Sequence, residues 1–156
     1  MWSSFLKLNT VCATASITMV GCANLPMSSS STQKVSVHTV SATGVGAEIG
    51  TIQFKDSPAG LVIHTDLSKL PPGPHGFHIH EKGSCEPAEK DGKMGAALVA
   101  GGHFNPNQSP HHGTPLQGHL GDLPVLNVDA QGNAKQNLVA PRLKVADIQG
   151  LAVMVH

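Results

Sequence analysis

Short segments in which apolar and polar residues alternate recur along this chain, and turn-forming residues separate them. The segments KVSVHTV at 34–40 and GLVIHTDL at 60–67 show the alternation clearly. A period of two is typical of a β-strand with one buried and one exposed face. Connections such as DSPAG and LPPGPHG supply turns. We therefore predict seven strands, at residues 34–40, 44–54, 60–67, 77–81, 123–128, 134–139 and 151–155, with a hairpin across the turn DAQGN.

This succession of strands predicts the fold class. A chain of 156 residues is long enough for one domain with a real core, and its 17 glycines and 11 prolines suit short strands joined by turns. No segment gives a clear helical pattern. We expect an all-β domain, a Greek-key β-sandwich or barrel of the immunoglobulin-like kind. The 10 basic and 10 acidic residues cancel and the basic ones are scattered, which argues against a nucleic-acid partner.

The N-terminal segment has the pattern of an export signal, which we place at residues 1–21. One positive charge, Lys7, precedes a short apolar stretch that ends at Gly21-Cys22. A small residue before cysteine resembles a bacterial lipoprotein cleavage site with Cys22 lipidated, and an ordinary export signal cleaved near Ala23 is the alternative. The stretch is too short and too polar for a transmembrane helix. The expected location is periplasmic, on a membrane anchor, with residues 22–33 as a flexible tether and 34–156 as the folded domain.

Histidine and cysteine usage narrows the chemistry further. The chain has 10 histidines and no tyrosine, a ratio that directs attention to metals. Export places the domain in an oxidising compartment. Cleavage before Cys22 would leave Cys85 as the remaining thiol, so its partner is either missing or belongs to another chain.

Metal-ligand spacing begins at His78-Ile79-His80, on a predicted strand. Residues i and i+2 share one face, so both imidazoles can bind one ion, although this pair alone could equally be two exposed histidines. The loop at 83–118 is long, rich in Gly, Pro, His and Asn, and leads into GHLGD, so we expect a metal to order it. It and its continuation supply further candidate ligands: His103, His112, His119 and Asp122. Three histidines with one carboxylate suit a closed tetrahedral zinc site, whereas three or four histidines suit a redox-cycling copper.

The motifs HGFHIHEKGSC, AGGHFNP, HHGTP and GHLGDLP resemble those of the copper/zinc superoxide dismutase family in its bacterial exported form. The resemblance runs from about residue 34 to 156 and implies one copper and one zinc per chain, with zinc in a structural role. It implies copper ligands His78, His80, His103 and His156, and zinc ligands His103, His112, His119 and Asp122. The implied activity is disproportionation of superoxide to oxygen and hydrogen peroxide by copper redox cycling. His103 would be the catalytic residue, releasing copper on reduction and carrying a proton.

The remaining histidines receive structural interpretations. His111 adjoins His112 and either could bind zinc, but the family motif favours His112. His38 and His64 are expected at the surface or partly buried in a structural role. His75 precedes the HxH strand and is expected to support it through hydrogen bonding.

The family pattern continues beyond the position of His156, and this difference bears on activity. The resemblance implies an acidic residue linking the two metal sites, an arginine that guides superoxide, a cysteine partner for Cys85 and an eighth strand. The chain is therefore expected to be a C-terminally truncated member with seven of the usual eight strands. Arg142 lies in a different loop and is not assigned the guiding role. The alternatives are a copper- and zinc-binding lipoprotein serving as metal store or sink, and a degenerate product that folds poorly. Exported members of the family are monomers or homodimers.

Overall fold

The computed structural model describes residues 31–156, and these are mostly strand. The strands are β1 Thr32–Ser41, β2 Gly44–Ser57, β3 Gly60–Leu67, β4 Gly73–His75, β5 Phe77–His80, β6 Ala88–Lys90, β7 Lys93–Gly95, β8 Leu126–Val128, β9 Ala134–Ala140 and β10 Ala152–Val155. Single 3-10 turns occupy Leu98–Ala100 and Val145–Ile148, so no helix in the described part could cross a membrane. The all-β prediction is confirmed. The predicted signal and most of the predicted tether lie outside the described residues, and β1 begins two residues before the predicted domain boundary.

One antiparallel sheet, in the order β1-β2-β3-β9, forms the larger half of the domain. Strands β2 and β3 alternate as predicted, and the pair Phe54 and Ile63 faces the core in register. On β3 the neighbouring positions His64 and Asp66 are exposed. Complete burial of a side chain such as Phe54 or Ile63 stabilises the fold by about 1.5–3 kcal/mol. The sheet therefore follows directly from the binary pattern of its strands.

Shorter strand pairs cover the other side of the core. Strand β5 pairs with β10, and β4 pairs with β8. Phe77 and Ile79 are each 1% exposed and pack in the same cluster as Phe54 and Ile63 from the larger sheet. The core thus lies between the four-stranded sheet and these short pairs, which is the layered arrangement expected of a sandwich or barrel.

The predicted hairpin between residues 123–128 and 134–139 is wrong. The turn itself exists, because Asp129 Oδ1 accepts the N–H groups of Gln131 and Asn133 at 3.0 and 2.7 Å. However, β8 pairs with β4 while β9 pairs with β3, so the turn joins two different sheets. Each strand finds its partner elsewhere, as Greek-key connections require.

The described residues contain ten strands instead of the seven predicted. The additional strands β4, β6 and β7 have three residues each, too few to show an alternating pattern. Strands β6 and β7 form a small hairpin inside the predicted long loop at 83–118. That loop is therefore partly ordered by its own backbone pairing.

Backbone hydrogen bonds tie two loop segments to β5. The N–H of Ile79 donates to Gly121 O at 2.9 Å, and the N–H of Phe104 donates to Ile79 O at 2.8 Å. Gly121 must be glycine, since a Cβ there would lie 2.4 Å from Ile79 O. The loop residues on either side of these bonds, including His103 and Asp122, are consequently brought alongside His78 and His80.

Candidate metal centre

The seven ligands predicted from sequence converge on one region beside β5. All of them except His80 form two groups, and within each group the possible ligand atoms all lie within 4.8 Å of one another. The first group contains His78, His103 and His156, and the second contains His103, His112, His119 and Asp122. His80 adjoins the first group, because its Nε2 lies 3.3 Å from Nε2 of His156. His103 belongs to both groups and so lies between them.

Strand β5 positions the first group through its alternation. Phe77 and Ile79 enter the core, which directs His78 and His80 to the opposite face. His156 follows β10, the antiparallel partner of β5, and its N–H donates to Gly76 O at 2.9 Å. The ring of His103 stacks on that of His78 with centroids 3.8 Å apart. Two strands and one loop therefore supply the four imidazoles.

Asp122 is the anchor of the second group. It is 2% exposed, and its Oδ1 lies 3.4 Å from His103 Nδ1 and 3.7 Å from His112 Nδ1. Its Oδ2 accepts the N–H groups of Gly113 at 2.7 Å and His119 at 3.0 Å. Burial alone would raise the pKa of Asp122, but these hydrogen bonds and that with His103 hold the pKa below its ordinary value. The carboxylate therefore stays ionised and can bind a cation.

The histidines of the first group are held in the neutral form that metals require. Burial, followed by the nearby rings of His103 and His156, lowers the pKa of His78 to about 4. Burial also lowers the pKa of His103, against the opposing hydrogen bond with Asp122, and the pKa of His156. A neutral imidazole keeps one free lone pair at pH 7, so binding one metal displaces no proton, whereas binding through both ring nitrogens, as in His103, would require loss of the remaining N–H proton.

Two buried ring nitrogens test whether metals fit here. Nδ1 of His78 and Nδ1 of His119 are buried and lack a hydrogen-bond partner among the described residues. Buried polar atoms are nearly always partnered. One such atom lies in each group, and a metal ion bound by each group would complete both. The donor sets, imidazoles in the first group and imidazoles with a carboxylate in the second, suit copper and zinc respectively.

Contacts behind the ligands orient them. Nδ1 of His80 donates to Gly101 O at 3.0 Å, which leaves Nε2 free to face His156. The ring nitrogens of His75 lie 2.7 Å from His156 O and 2.7 Å from Pro71 O, so His75 supports the end of β10 and the preceding turn instead of hydrogen-bonding to the HxH strand as predicted. The bond to Gly101 O therefore fixes the rotation of the His80 ring, and His75 fixes the backbone of His156.

The other predicted assignments can be compared with their positions. His112 is in the second group, whereas the adjacent His111 is exposed and outside it. His38 and His64 are both exposed, as expected, but only His38 is on an edge strand, β1, because His64 is on β3, between β2 and β9. His64 Nδ1 lies 2.7 Å from Asn137 Oδ1. Cys85 is partly buried and free within residues 31–156.

Two residues that shape the second group carried no signal in the sequence. Gly118 has a φ of +86°, and a Cβ there would lie 2.4 Å from Gly113 N and 2.7 Å from Asp122 Oδ2. The guanidinium of Arg142 donates to backbone carbonyls of residues 115–119. Neither residue is a ligand; Gly118 opens the motif GHLGD, but ligand spacing indicates only the His119 and Asp122 of that motif, and Arg142 lies outside the motifs.

Comparisons with known proteins agree with this geometry. The family model described as copper/zinc superoxide dismutase (SODC) matches residues 48–156. The chain is 48% identical over 144 residues to superoxide dismutase (Cu-Zn) 2 of Salmonella typhimurium, which covers 91% of this chain and 82% of that protein. It is 51% identical over 126 residues to the Escherichia coli K12 superoxide dismutase (Cu-Zn), covering 80% and 73%. The solved Cu/Zn superoxide dismutase from Brucella abortus aligns with a TM-score of 0.79 at 44% identity, covering 81% and 83%.

Proposed function

This chain belongs to the copper/zinc superoxide dismutase family, and on that premise we propose how its two metals are held. Copper is bound by His78, His80, His103 and His156. Zinc is bound by His103, His112, His119 and Asp122. The observation that supports this assignment is the membership of His103 in both groups of possible ligands. One imidazole with a nitrogen toward each group can bridge two ions.

The chain is a copper/zinc superoxide dismutase, with superoxide as its substrate. Bound copper supplies one-electron chemistry, by which one superoxide is oxidised to oxygen and another, with two protons, is reduced to hydrogen peroxide. His156 is exposed, so the first group is open to a small anion from solvent. The family and its named members do not favour a metal store over the enzyme.

His103 is the residue we assign to proton transfer. It is mostly shielded, with 15% of its side chain exposed, and Asp122 fixes one of its nitrogens at 3.4 Å. Its other nitrogen, on the side of the first group, can take and release a proton without reorienting the ring. Asp122 and the zinc it would help to bind keep that ring in place, as partners behind a metal ligand commonly do.

Metal analysis combined with superoxide consumption tests this function. We expect purified chain, loaded with both metals, to hold one copper and one zinc and to consume superoxide at a rate proportional to its copper content. His103→Gln should lose most of that rate, whereas His64→Gln, on an exposed strand position, should retain it. Bound copper with negligible turnover in the unmodified chain would support a metal store instead. Failure to bind either metal stoichiometrically would overturn both.

We also propose that the protein is a periplasmic lipoprotein with lipid on Cys22, supported by the apolar stretch that ends at Gly21-Cys22. Labelling with a radioactive fatty acid in a bacterial host should modify the wild-type chain and leave Cys22→Ser unlabelled. A labelled Cys22→Ser chain, or an unlabelled wild type, would contradict the proposal.

The oligomeric state needs a separate measurement. Sedimentation of the metal-loaded protein distinguishes the monomer from the homodimer, the two assemblies that we expect.

A further inference from the structure

Arg142 lies between the larger sheet and the second group of ligands. It lies two residues after Ala140, the last residue of β9, and directly before Leu143, which is 1% exposed in the core. The N–H of Leu143 donates to Ala140 O at 3.3 Å. The backbone on both sides of Arg142 is therefore fixed to the packed part of the domain. Its side chain starts from a rigid base.

The guanidinium of Arg142 donates to four backbone carbonyls of one loop segment. Nε donates to Pro115 O at 2.8 Å, and Nη2 donates to His119 O at 2.7 Å and more weakly to Gln117 O at 3.4 Å. Nη1 donates to Gly118 O at 3.3 Å. The planar fork of five N–H donors makes this possible, and a lysine ammonium could not reproduce it. Because its donors are engaged in this way, Arg142 is not presented to solvent as a guide for anions.

Apart from Arg142, residues 115–119 are held by local hydrogen bonds to Thr114 and Asp122. Leu116 is 70% exposed and gives no apolar anchor. The turn is closed by the N–H of Gln117 donating to Thr114 O at 2.9 Å. Both backbone polar groups of His119 are hydrogen-bonded: its N–H donates to Asp122 Oδ2, and its carbonyl accepts from Arg142 Nη2. The same carbonyl also accepts the N–H of Asp122 at 3.2 Å, so loss of Arg142 would remove the shorter of its two hydrogen bonds and the one that ties His119 to the end of β9.

We propose that Arg142 is a positioning residue for zinc, which holds residues 115–119 so that His119 and Asp122 meet in one ligand set. This inference rests on the proposed zinc role of the second group. A ligand that is pre-positioned needs no further ordering when the ion binds, so its affinity is higher. Partners that orient metal ligands commonly change metal affinity by about 10–100-fold. In the first group, His103 is the member whose ring contacts that of His119, with centroids 5.9 Å apart. The other candidate copper ligands lie on β5 and directly after β10, so copper affinity should depend on Arg142 less than zinc affinity does.

The test uses the full chain, with Arg142→Ala and Arg142→Lys as the variants. Lys144→Ala is the matched control, because Lys144 is a cation of the same loop whose Nζ donates to Ser57 O at 2.7 Å, away from the second group. Zinc affinity is measured by competition with a chromophoric chelator. Cobalt(II) at the same site gives a visible spectrum that reports tetrahedral geometry. Copper affinity is measured in parallel.

We expect Arg142→Ala to lower zinc affinity by about 10–100-fold and to weaken the tetrahedral cobalt spectrum. Arg142→Lys should fall between Ala and wild type, and Lys144→Ala should match wild type. Added methylguanidinium should restore part of the cobalt spectrum of Arg142→Ala. If Arg142→Ala does not fold, Arg142→Lys decides the matter, since it keeps the charge and loses the fork.

Wild-type zinc affinity in a folded Arg142→Ala chain, or in Arg142→Lys where that variant decides, would overturn the proposal. Equal losses of zinc and copper affinity would also overturn it, because they would indicate general support of the fold. A wild-type chain that binds neither zinc nor tetrahedral cobalt would instead reject the proposed zinc site itself.

Discussion

The four-stranded sheet and the metal side of the domain are held together in different ways. In the sheet, β2 and β3 pair continuously from Gly50↔Leu67 to Ser57↔Gly60, and β3 pairs with β9 along its length. On the metal side, strands β4, β5, β8 and β10 have only three or four residues. Side chains such as Asp122 and Arg142 bind the intervening backbone there. The sheet is thus complete in its own backbone and core, whereas the metal side depends on polar side chains and on the ions they would bind.

Metal removal should produce the largest difference in local stability between the sheet and the metal side. An ion present at a thousand times its dissociation constant stabilises the folded state by about 4.1 kcal/mol, and that contribution is lost on chelation. We expect amide hydrogen exchange to accelerate chiefly in residues 101–122 and to change little in β2 and β3. Exchange followed by mass spectrometry measures both. A uniform acceleration across the domain would show that the two regions do not differ as described.

A cavity under the sheet should have the opposite effect, lowering the stability of the fold without changing metal affinity. Ile63 is completely buried, so Ile63→Ala should lower the free energy of unfolding by about 2–5 kcal/mol. Zinc and copper affinities should stay close to wild type, because Ile63 belongs to neither group of candidate ligands. Denaturant unfolding and metal competition check the two parts. Val139→Ala, at a 41% exposed position on neighbouring β9, is the control and should change little; a loss of metal affinity in Ile63→Ala would contradict the separation.

Asp122→Asn should weaken zinc binding by about 10–100-fold and leave the sheet intact. Asparagine offers one carbonyl oxygen and no charge, so it cannot accept two N–H groups and also bind an ion. Chelator competition gives the affinity, and circular dichroism gives the fold. The control is Asp129→Asn, since Asp129 also accepts two backbone N–H groups but in the turn between β8 and β9, outside both groups of candidate ligands. Equal zinc affinity in Asp122→Asn and Asp129→Asn would contradict the assignment of Asp122 as a zinc ligand.

The smallest expected effect is a pH dependence of the metal-free protein. The pKa of His78 is about 4 in the folded state against an ordinary 6.5, so between these values the unfolded chain binds more protons. Stability should therefore fall as the pH is lowered from about 6.5 to about 4, with no further loss from this group below that range. Solvent reaches the ring, which limits the size of the effect. Thermal melts at several pH values should show a weaker slope for His78→Gln than for His64→Gln, and equal slopes would contradict the assignment to His78.

The predictable part of the fold was the part with local patterns. The clearly alternating segments at 34–40 and 60–67 lie in β1 and β3, because burial of every second side chain specifies both strand and face. The hairpin error at residues 123–139 has the opposite cause. A turn can be identified from DAQGN, but strand partners depend on residues far away in sequence, here Gly73–His75 and Gly60–Leu67.

The candidate site divides in the same way. The histidine and aspartate spacing indicated the ligands, since metal binding requires particular atoms and HxH on a strand places two on one face. Arg142 and Gly118 could not be predicted, because their importance depends on the path of a loop that contacts them only after folding. The short strands β6 and β7 could not be predicted for a similar reason, because their pairing forms only when the loop folds.

By itself, the sequence determined an all-β domain and the chemistry of its candidate ligands, because strand alternation and ligand type are properties of neighbouring residues. Only the tertiary structure decided that His103 stands between two groups, that Asp122 is buried with its pKa lowered, and that Arg142 grips residues 115–119. These features arise when β5, the loop segments and the end of β9 pack together. Distances between residues far apart in the chain are set by packing, which no local pattern encodes.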